Sequence, residues 1–337
     1  MSAEKIAVGL VGCGNAGRNI HLRLLNAHPD LYRVVTCADA VPEAAQQVAA
    51  AFGLRPAASV EVLVADPEVE LVVVATKPPV THRDVALLAS AAGKHVVVEK
   101  PMAGTDAECA EMVAAAAAAD RLLAVHHNRR WDADFLSAQT ALTSGVLGEL
   151  RLVRNEYTGA FAGSPYDWGI HIVDQTMALS LGEKFVELTA IFCRPDPAEP
   201  TESQGFFTCR LRTASGVLHD MGMLPPVDGS AFLPHALTPR FVLAGTAGVL
   251  YQDWCQRPED AYMKTTAFRL AEGGQKGRDL PVMEARLAIP DFYDLLFVAI
   301  REGGPLPVPG EEGRRAVRAW ELMCQSACEG RTLEVEL

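Results

Sequence analysis

Over its first 125 residues the chain alternates short β-branched runs with alanine-rich stretches, and this alternation leaves few folds open. Strands are expected at 6–11 (IAVGLV), 33–38, 71–75, 95–98 and 121–125, with helices between them at 16–27, 42–52, 80–92 and 105–119. Strands separated by helical stretches are not hairpin partners. They pair in parallel through crossover helices, which predicts an α/β, doubly wound sheet.

The texture changes after residue 126. A helix is expected at 133–144, a strand at 150–158 and a helix at 168–180, after which strands dominate: 185–194, 205–213, 216–223, 240–245 and 248–252. Their close spacing predicts hairpins and antiparallel pairing, with Gly216 and Gly248 at tight turns. Helices at 288–302 and 311–329 and a short strand at 332–336 close the chain. At 337 residues two domains are the natural expectation, 1–126 and 127–337, the terminal segment being free to pack back on the first.

Composition excludes several functions. A formal net charge of −12 argues against a nucleic-acid or anionic-membrane partner, since both require clustered Lys and Arg. No stretch of eighteen residues lacks charge, so no transmembrane helix is expected. The eight cysteines include no CxxC pair, and MSAEK runs straight into the first strand without a secretory leader, which fits a reducing cytoplasm.

GCGNAG (Gly12, Gly14, Asn15, Ala16 and Gly17 with Cys13) has GxGxxG spacing directly after an apolar strand and before a helix. In that context Gly12 makes the tight turn, Gly14 lets a pyrophosphate approach the backbone, and Gly17 allows helix and strand to pack closely, with helix N–H groups facing the anion. Asp39 ends the second strand 22 positions after Gly17, where a carboxylate accepts from both hydroxyls of an adenine ribose. Ala40 follows it in place of an arginine that would welcome a 2′-phosphate, so NAD(H) is preferred and NADP(H) possible. The alternative role for Asp39 is a cap on the helix beginning near Pro42.

VVVEKP at 96–101 places Glu99, Lys100 and Pro101 at the carboxyl end of a parallel strand, where an open sheet binds its ligand. A lysine there can stabilise alkoxide character on a substrate hydroxyl; the alternative is a solvated Glu–Lys pair. In DWGIHIVD, Asp167, His171 and Asp174 fall at i, i+4 and i+7, one stripe of a helix. Carboxylates a turn from an imidazole orient it and raise its pKa, which suits proton exchange near neutral pH. A metal site, or a structural helix capped by Asp167, are the competing accounts.

In their order along the chain, GCGNAG, Asp39, AGKHVVVEKP at 92–101, HNRRWDADF at 127–135, DWGIHIVD and the closing DFYDLLFVAIREGGPLPVPGEEGRRAV at 291–317 resemble the glucose-fructose oxidoreductase, inositol dehydrogenase and MocA family. The resemblance implies an NAD(P)-dependent oxidoreductase with an N-terminal Rossmann domain and a C-terminal α+β domain built on a large, mostly antiparallel sheet, through which a homodimer or homotetramer assembles. It implies a small polar substrate, a sugar, cyclitol or related polyol, and a catalytic set of Lys100, Asp167 and His171: His171 as acid/base, Lys100 polarising the reacting oxygen, Asp167 positioning the substrate or tuning the other two. Thr76, Lys77, His82, Glu99 and Lys100 join the glycine loop and Asp39 as implied cofactor contacts.

Two departures from the family pattern stand out. The loop after the third parallel strand reads TKPPVTH, with Lys77 intruding and His82 displaced by one; Lys77 lies near the reacting groups or, the favoured alternative, is an ordinary exposed lysine. FAGSPYD, before the helix, identifies no sugar. Asn128 and Arg129 either reach the substrate or act as hinge structure, and Tyr157 and Trp168 are stacking faces for a sugar ring or core aromatics, Trp168 being the better stacking candidate. The rival functions are reduction of a non-sugar carbonyl, an imine or a tetrapyrrole, and non-catalytic nucleotide sensing.

Overall fold

The computed structural model describes residues 4–158, 165–193, 206–224, 240–253, 267–272, 278–280 and 290–337. The expected positions 161–164, 194, 205 and 288–289 lie outside these. The chain forms two compact units, Met1–His127 with Pro290–Val317, and Asn128–Ile289 with Arg318–Leu337.

In the first unit β1 (Ile6–Val11), β2 (Tyr32–Ala38), β3 (Arg55–Pro56), β4 (Leu71–Val74), β5 (His95–Glu99) and β6 (Leu123–His126) form one sheet in the order β3-β2-β1-β4-β5-β6, every pair parallel. All of β1 and β4 is buried, which is why these strands read as unbroken apolar runs rather than alternating ones. The crossovers are α1 (Leu22–Ala27), α2 (Pro42–Phe52), α3 (Val60–Ala65), α4 (His82–Ala91) and α5 (Asp106–Ala118). Proline at the first position and left-handed Gly53 (φ +71°) delimit α2, and a Thr105–Glu108 capping box opens α5. The expected helix 16–27 divides into a π-helical turn, Gly17–His21, and α1. β3 and α3 were not expected, because neither is long enough to display a period.

The second unit holds α6 (Ala133–Thr143), β7 (Leu150–Thr158), α7 (Pro165–Ala178), β8 (Phe185–Cys193), β9 (Phe206–Thr213), β10 (Leu218–Leu224), β11 (Phe241–Gly245), β12 (Gly248–Asp253), β13 (Ala267–Glu272), β14 (Arg278–Leu280) and β15 (Leu333–Glu334). The strands form one nine-stranded sheet, β14-β13-β12-β11-β7-β10-β9-β8-β15. Antiparallel pairing holds throughout except between β10 and β7, which run parallel because β7 enters the sheet centre from α6 rather than through a hairpin. Gly216 has the positive φ (+93°) expected of a turn, whereas Gly248 begins β12. Along β9, Phe207, Cys209 and Leu211 are buried while Thr208 and Arg210 are exposed, the period of a sheet covered on one face. Phe135, Ala138 and Ala141 of α6 pack on Val153, Phe241, Leu243 and Leu250 of the sheet.

Two helices close the chain: α8 (Phe292–Glu302), with a capping box between Asp291 and Asp294, and α9 (Gly310–Glu329). No described helix is long and apolar enough to cross a membrane.

Candidate active site

The three loop glycines meet three different demands. Gly12 has φ +100°, and a Cβ there would lie 2.5 Å from the Ala75 backbone. A Cβ on Gly17 would fall 1.9 Å from the Gly12 carbonyl oxygen, so the turn behind the loop closes only on glycine. Gly14 has nothing within 4 Å of its Cβ position, so that side of the loop is open to a phosphate, and the loop fits a dinucleotide. Asn15 Oδ1 accepts from Asn19 Nδ2 at 2.8 Å, and Ala16 leads into the π-helical turn.

Asp39 lies just past β2. Its Oδ2 accepts from the Cys13 N–H at 2.7 Å and its Oδ1 from the Val41 N–H at 2.9 Å. It therefore braces the entry to α2, although Val41 occupies the cap position, and it also ties that entry to the glycine loop. Each carboxylate oxygen keeps a lone pair for a further donor.

Because β1, β4 and β5 are neighbours and parallel, the glycine loop, Thr76–Lys77 and Lys100 emerge at the same edge of the sheet. The Thr76 hydroxyl accepts from that of Thr81 at 2.7 Å, and Lys77 is exposed. Lys77–Pro78 and Lys100–Pro101 are cis peptides, and Lys100 is half-buried. His82, expected among cofactor contacts, is 1% exposed and links the two loops, with Nε2 2.9 Å from the Thr76 carbonyl and Nδ1 3.0 Å from that of Pro101. Burial lowers its pKa, against the pull of those carbonyls. Glu99, also expected at the cofactor, turns its side chain inward between His21 and His126.

In the second unit Asp167 and Trp168 lie half-buried in the first turn of α7, two and three residues inside its start, so Asp167 is not the cap; His171 is buried one turn on. The Trp168 and His171 rings are 6.1 Å apart. Arg129, beside half-buried Asn128 in a 3₁₀ turn, sets its guanidinium 4.9 Å from the Trp168 ring centre, and its carbonyl accepts from Gln175 Nε2 at 2.7 Å. Asp174 shares the stripe with His171, but its carboxylate is held by Arg130 at 2.6 and 2.9 Å. The Tyr157 ring lies under the Arg240 guanidinium at 4.0 Å and its hydroxyl bonds Arg240 and Gln175, so Tyr157 is a core residue rather than an open stacking face.

Several residues of these networks escaped the sequence reading: His21, His126 and Tyr293 around Glu99, and Gln175 of α7 with Arg240. No residue spacing marks any of them as a partner in these networks, although Tyr293 lies within, and Gln175 beside, stretches singled out above. The pairing of β5 with β6, which sets Glu99 beside His126, is the one signal that a strand alignment offers.

A parallel sheet of this order, with a glycine loop after its first strand and a carboxylate after its second, defines a dinucleotide-binding Rossmann domain. Residues 6–127 match the family described as an oxidoreductase family with an NAD-binding Rossmann fold. The chain is 30% identical to scyllo-inositol 2-dehydrogenase (NADP(+)) IolW of Bacillus subtilis across 99% of its own length and 97% of that protein's. It is 28% identical to D-apiose dehydrogenase of Paraburkholderia graminis, over 99% of this chain and 91% of the other. Among solved structures it superposes on yvaA of Bacillus subtilis with a TM-score of 0.82 and 28% identity, covering 99% of this chain and 100% of that one. The chain belongs to the glucose-fructose oxidoreductase, inositol dehydrogenase and MocA family. It is an oxidoreductase with an NAD-binding Rossmann domain, of the dehydrogenase and reductase class that acts on CH–OH groups.

Proposed function

We propose that this chain interconverts a hydroxyl and a carbonyl on a sugar, cyclitol or related polyol, with NAD(H) preferred. The observation that carries this reading is Lys100: its strand emerges at the same sheet edge as a glycine loop whose open side fits a pyrophosphate. When bound, the nicotinamide supplies the hydride donor or acceptor. The Lys100 ammonium hydrogen-bonds the reacting oxygen and stabilises the alkoxide character that develops there. His171 takes up or returns the hydroxyl proton, and Asp167 orients the substrate. Arg129 stacks on Trp168 and holds that indole's orientation, which makes Trp168 the residue to guide a sugar ring.

The preference for NAD(H) rests on Asp39, whose braced carboxylate suits ribose hydroxyls and repels a 2′-phosphate. The IolW relative is named for NADP(+), so the cofactor is the first thing to measure. NADH and NADPH are titrated by fluorescence against wild type and Asp39→Ala, followed by cyclitols and aldoses with wild type, Lys100→Ala and His171→Ala. NADH binding weakened by Asp39→Ala, with turnover lost in the other two variants, is expected; NADPH binding better than NADH sinks the Asp39 assignment. We also propose a cytoplasmic homodimer or homotetramer assembled through the second unit's sheet, an idea supported by Ile191, 62% exposed on β8.

A further inference from the structure

Glu99 is a carboxylate at a position where β5 is otherwise lined with buried valines, and it is only 6% exposed. Burying an ion costs several kcal/mol unless it is fully paired, and an apolar side chain at such a site is often equally stable or more so. Packing alone therefore does not account for it. The carboxylate accepts three N–H groups: His126 Nδ1 at 2.8 Å and His21 Nε2 at 3.0 Å on Oε1, and the backbone N–H of Lys100 at 3.1 Å on Oε2. Burial works against the charge, but these imidazole donors hold the carboxyl well below the usual carboxylate range.

With His21 neutral, the network has one consistent proton arrangement. His21 Nδ1 lies 2.6 Å from the Tyr293 hydroxyl, so a neutral His21 that accepts from Tyr293 presents its Nε2–H to Glu99. Burial lowers the His21 pKa, which favours that neutral ring. Tyr293 is fixed in turn by the Tyr32 hydroxyl, which donates to its carbonyl at 2.6 Å. The π-helical turn behind the glycine loop, the end of β6 and the start of α8 thus converge on the residue preceding Lys100.

We infer that Glu99, clamped by His21 and His126, is a positioning residue that sets the main chain of Lys100 and thereby the place of its amine. The inference rests on the proposed role of Lys100. A catalytic group held to one geometry avoids an entropic cost at each turnover, and displacement of about 1 Å lowers rates about 10²-fold.

The test does not depend on turnover. Competitive acetylation with acetic anhydride, read by mass spectrometry, gives the labelling of Lys100 relative to exposed Lys77 in the full-length protein. Glu99→Ala is expected to change that ratio at least threefold. Glu99→Gln should leave it near wild type, because its amide oxygen can face the Lys100 N–H while its NH₂ donates to both imidazoles in their other tautomers. His21→Leu removes one donor with little loss of volume, and is the second variant should Glu99→Ala fail to fold; it should shift the ratio in the same direction. A ratio unmoved in both variants, with melting like wild type, overturns the inference, as does Glu99→Gln behaving like Glu99→Ala. In the assay, Glu99→Ala should lower kcat about 10²-fold with NADH affinity within threefold. Lys100→Ala that turns over normally would instead defeat the functional reading while leaving the labelling result intact.

Discussion

Gly169 lies directly against Trp320: a Cβ added to the glycine would come within 2.5 Å of the indole Cζ3 and within 2.9 Å of Phe207. The helix that carries Asp167, Trp168 and His171 is thereby seated on a rigid aromatic floor, with Tyr166 and Phe192 also packed around the same indole. Gly169→Ala must push α7 away from that floor. We expect a loss of ~1–3 kcal/mol in denaturant melts, the usual cost of overpacking a core, together with a loss of turnover from displacement of His171. A variant of wild-type stability would show that the floor gives way.

The glycine loop yields a paired prediction that separates binding from folding. Gly14→Ala meets nothing in the protein, so its thermal midpoint should stay at the wild-type value while NADH affinity falls at least tenfold, because the methyl occupies the approach of the pyrophosphate. Gly12→Ala carries both a positive φ and a backbone overlap, so it should destabilise the fold by at least ~1 kcal/mol. Isothermal titration with parallel melting curves checks both. Equal stability of the two variants would contradict the assigned roles.

The first unit was legible because its central strands are buried on both faces and α2 and α5 are bounded by proline, glycine and a capping box, signals that act within a few residues. The GxGxxG loop and the position of Lys100 followed from that register. Legibility failed where a contact joins distant segments. Nothing around His21 marks it as a partner of Glu99, 78 positions away, and Arg240 meets Tyr157 from 83 positions away. The parallel β10–β7 pair was missed for a related reason: hairpin spacing fixes neighbours in sequence but not where an earlier strand inserts. Asp174 shows the limit of periodicity, which put it on the His171 stripe without revealing that Arg130 already holds it.

That last point predicts a phenotype. If Asp174 served chiefly to tune His171, Asp174→Asn would displace the pH profile of kcat. Its carboxylate is 2% exposed and bidentate with Arg130, so removing the charge breaks a largely buried ion pair. Loss of one partner of a buried pair costs ~3–5 kcal/mol. Urea unfolding should therefore reveal a large destabilisation, while the pH profile of the surviving folded enzyme stays in place.

The buried network around Glu99 also dictates how stability responds to acid. Burial lowers the folded-state pKa of His21 below its unfolded value near 6.5, so the unfolded chain binds this proton first as pH falls. Its contribution is present above that value and is lost as pH drops toward the folded pKa, with a slope of up to ~1.4 kcal/mol per pH unit. Glu99, with its pKa held well below the carboxylate range, acts in the same sense but lower: its stabilisation is present above an unfolded pKa of ~4.3 and is lost as pH falls through the folded value. Melting temperatures should accordingly decline below about pH 6.5 and more steeply below about pH 4.3. His21→Leu should make the first limb shallower, the remainder coming from His82 and His95, whose pKa values burial also lowers, and should weaken the second by removing one donor that holds the Glu99 pKa down; a first limb unchanged in that variant would assign the acid sensitivity to other groups.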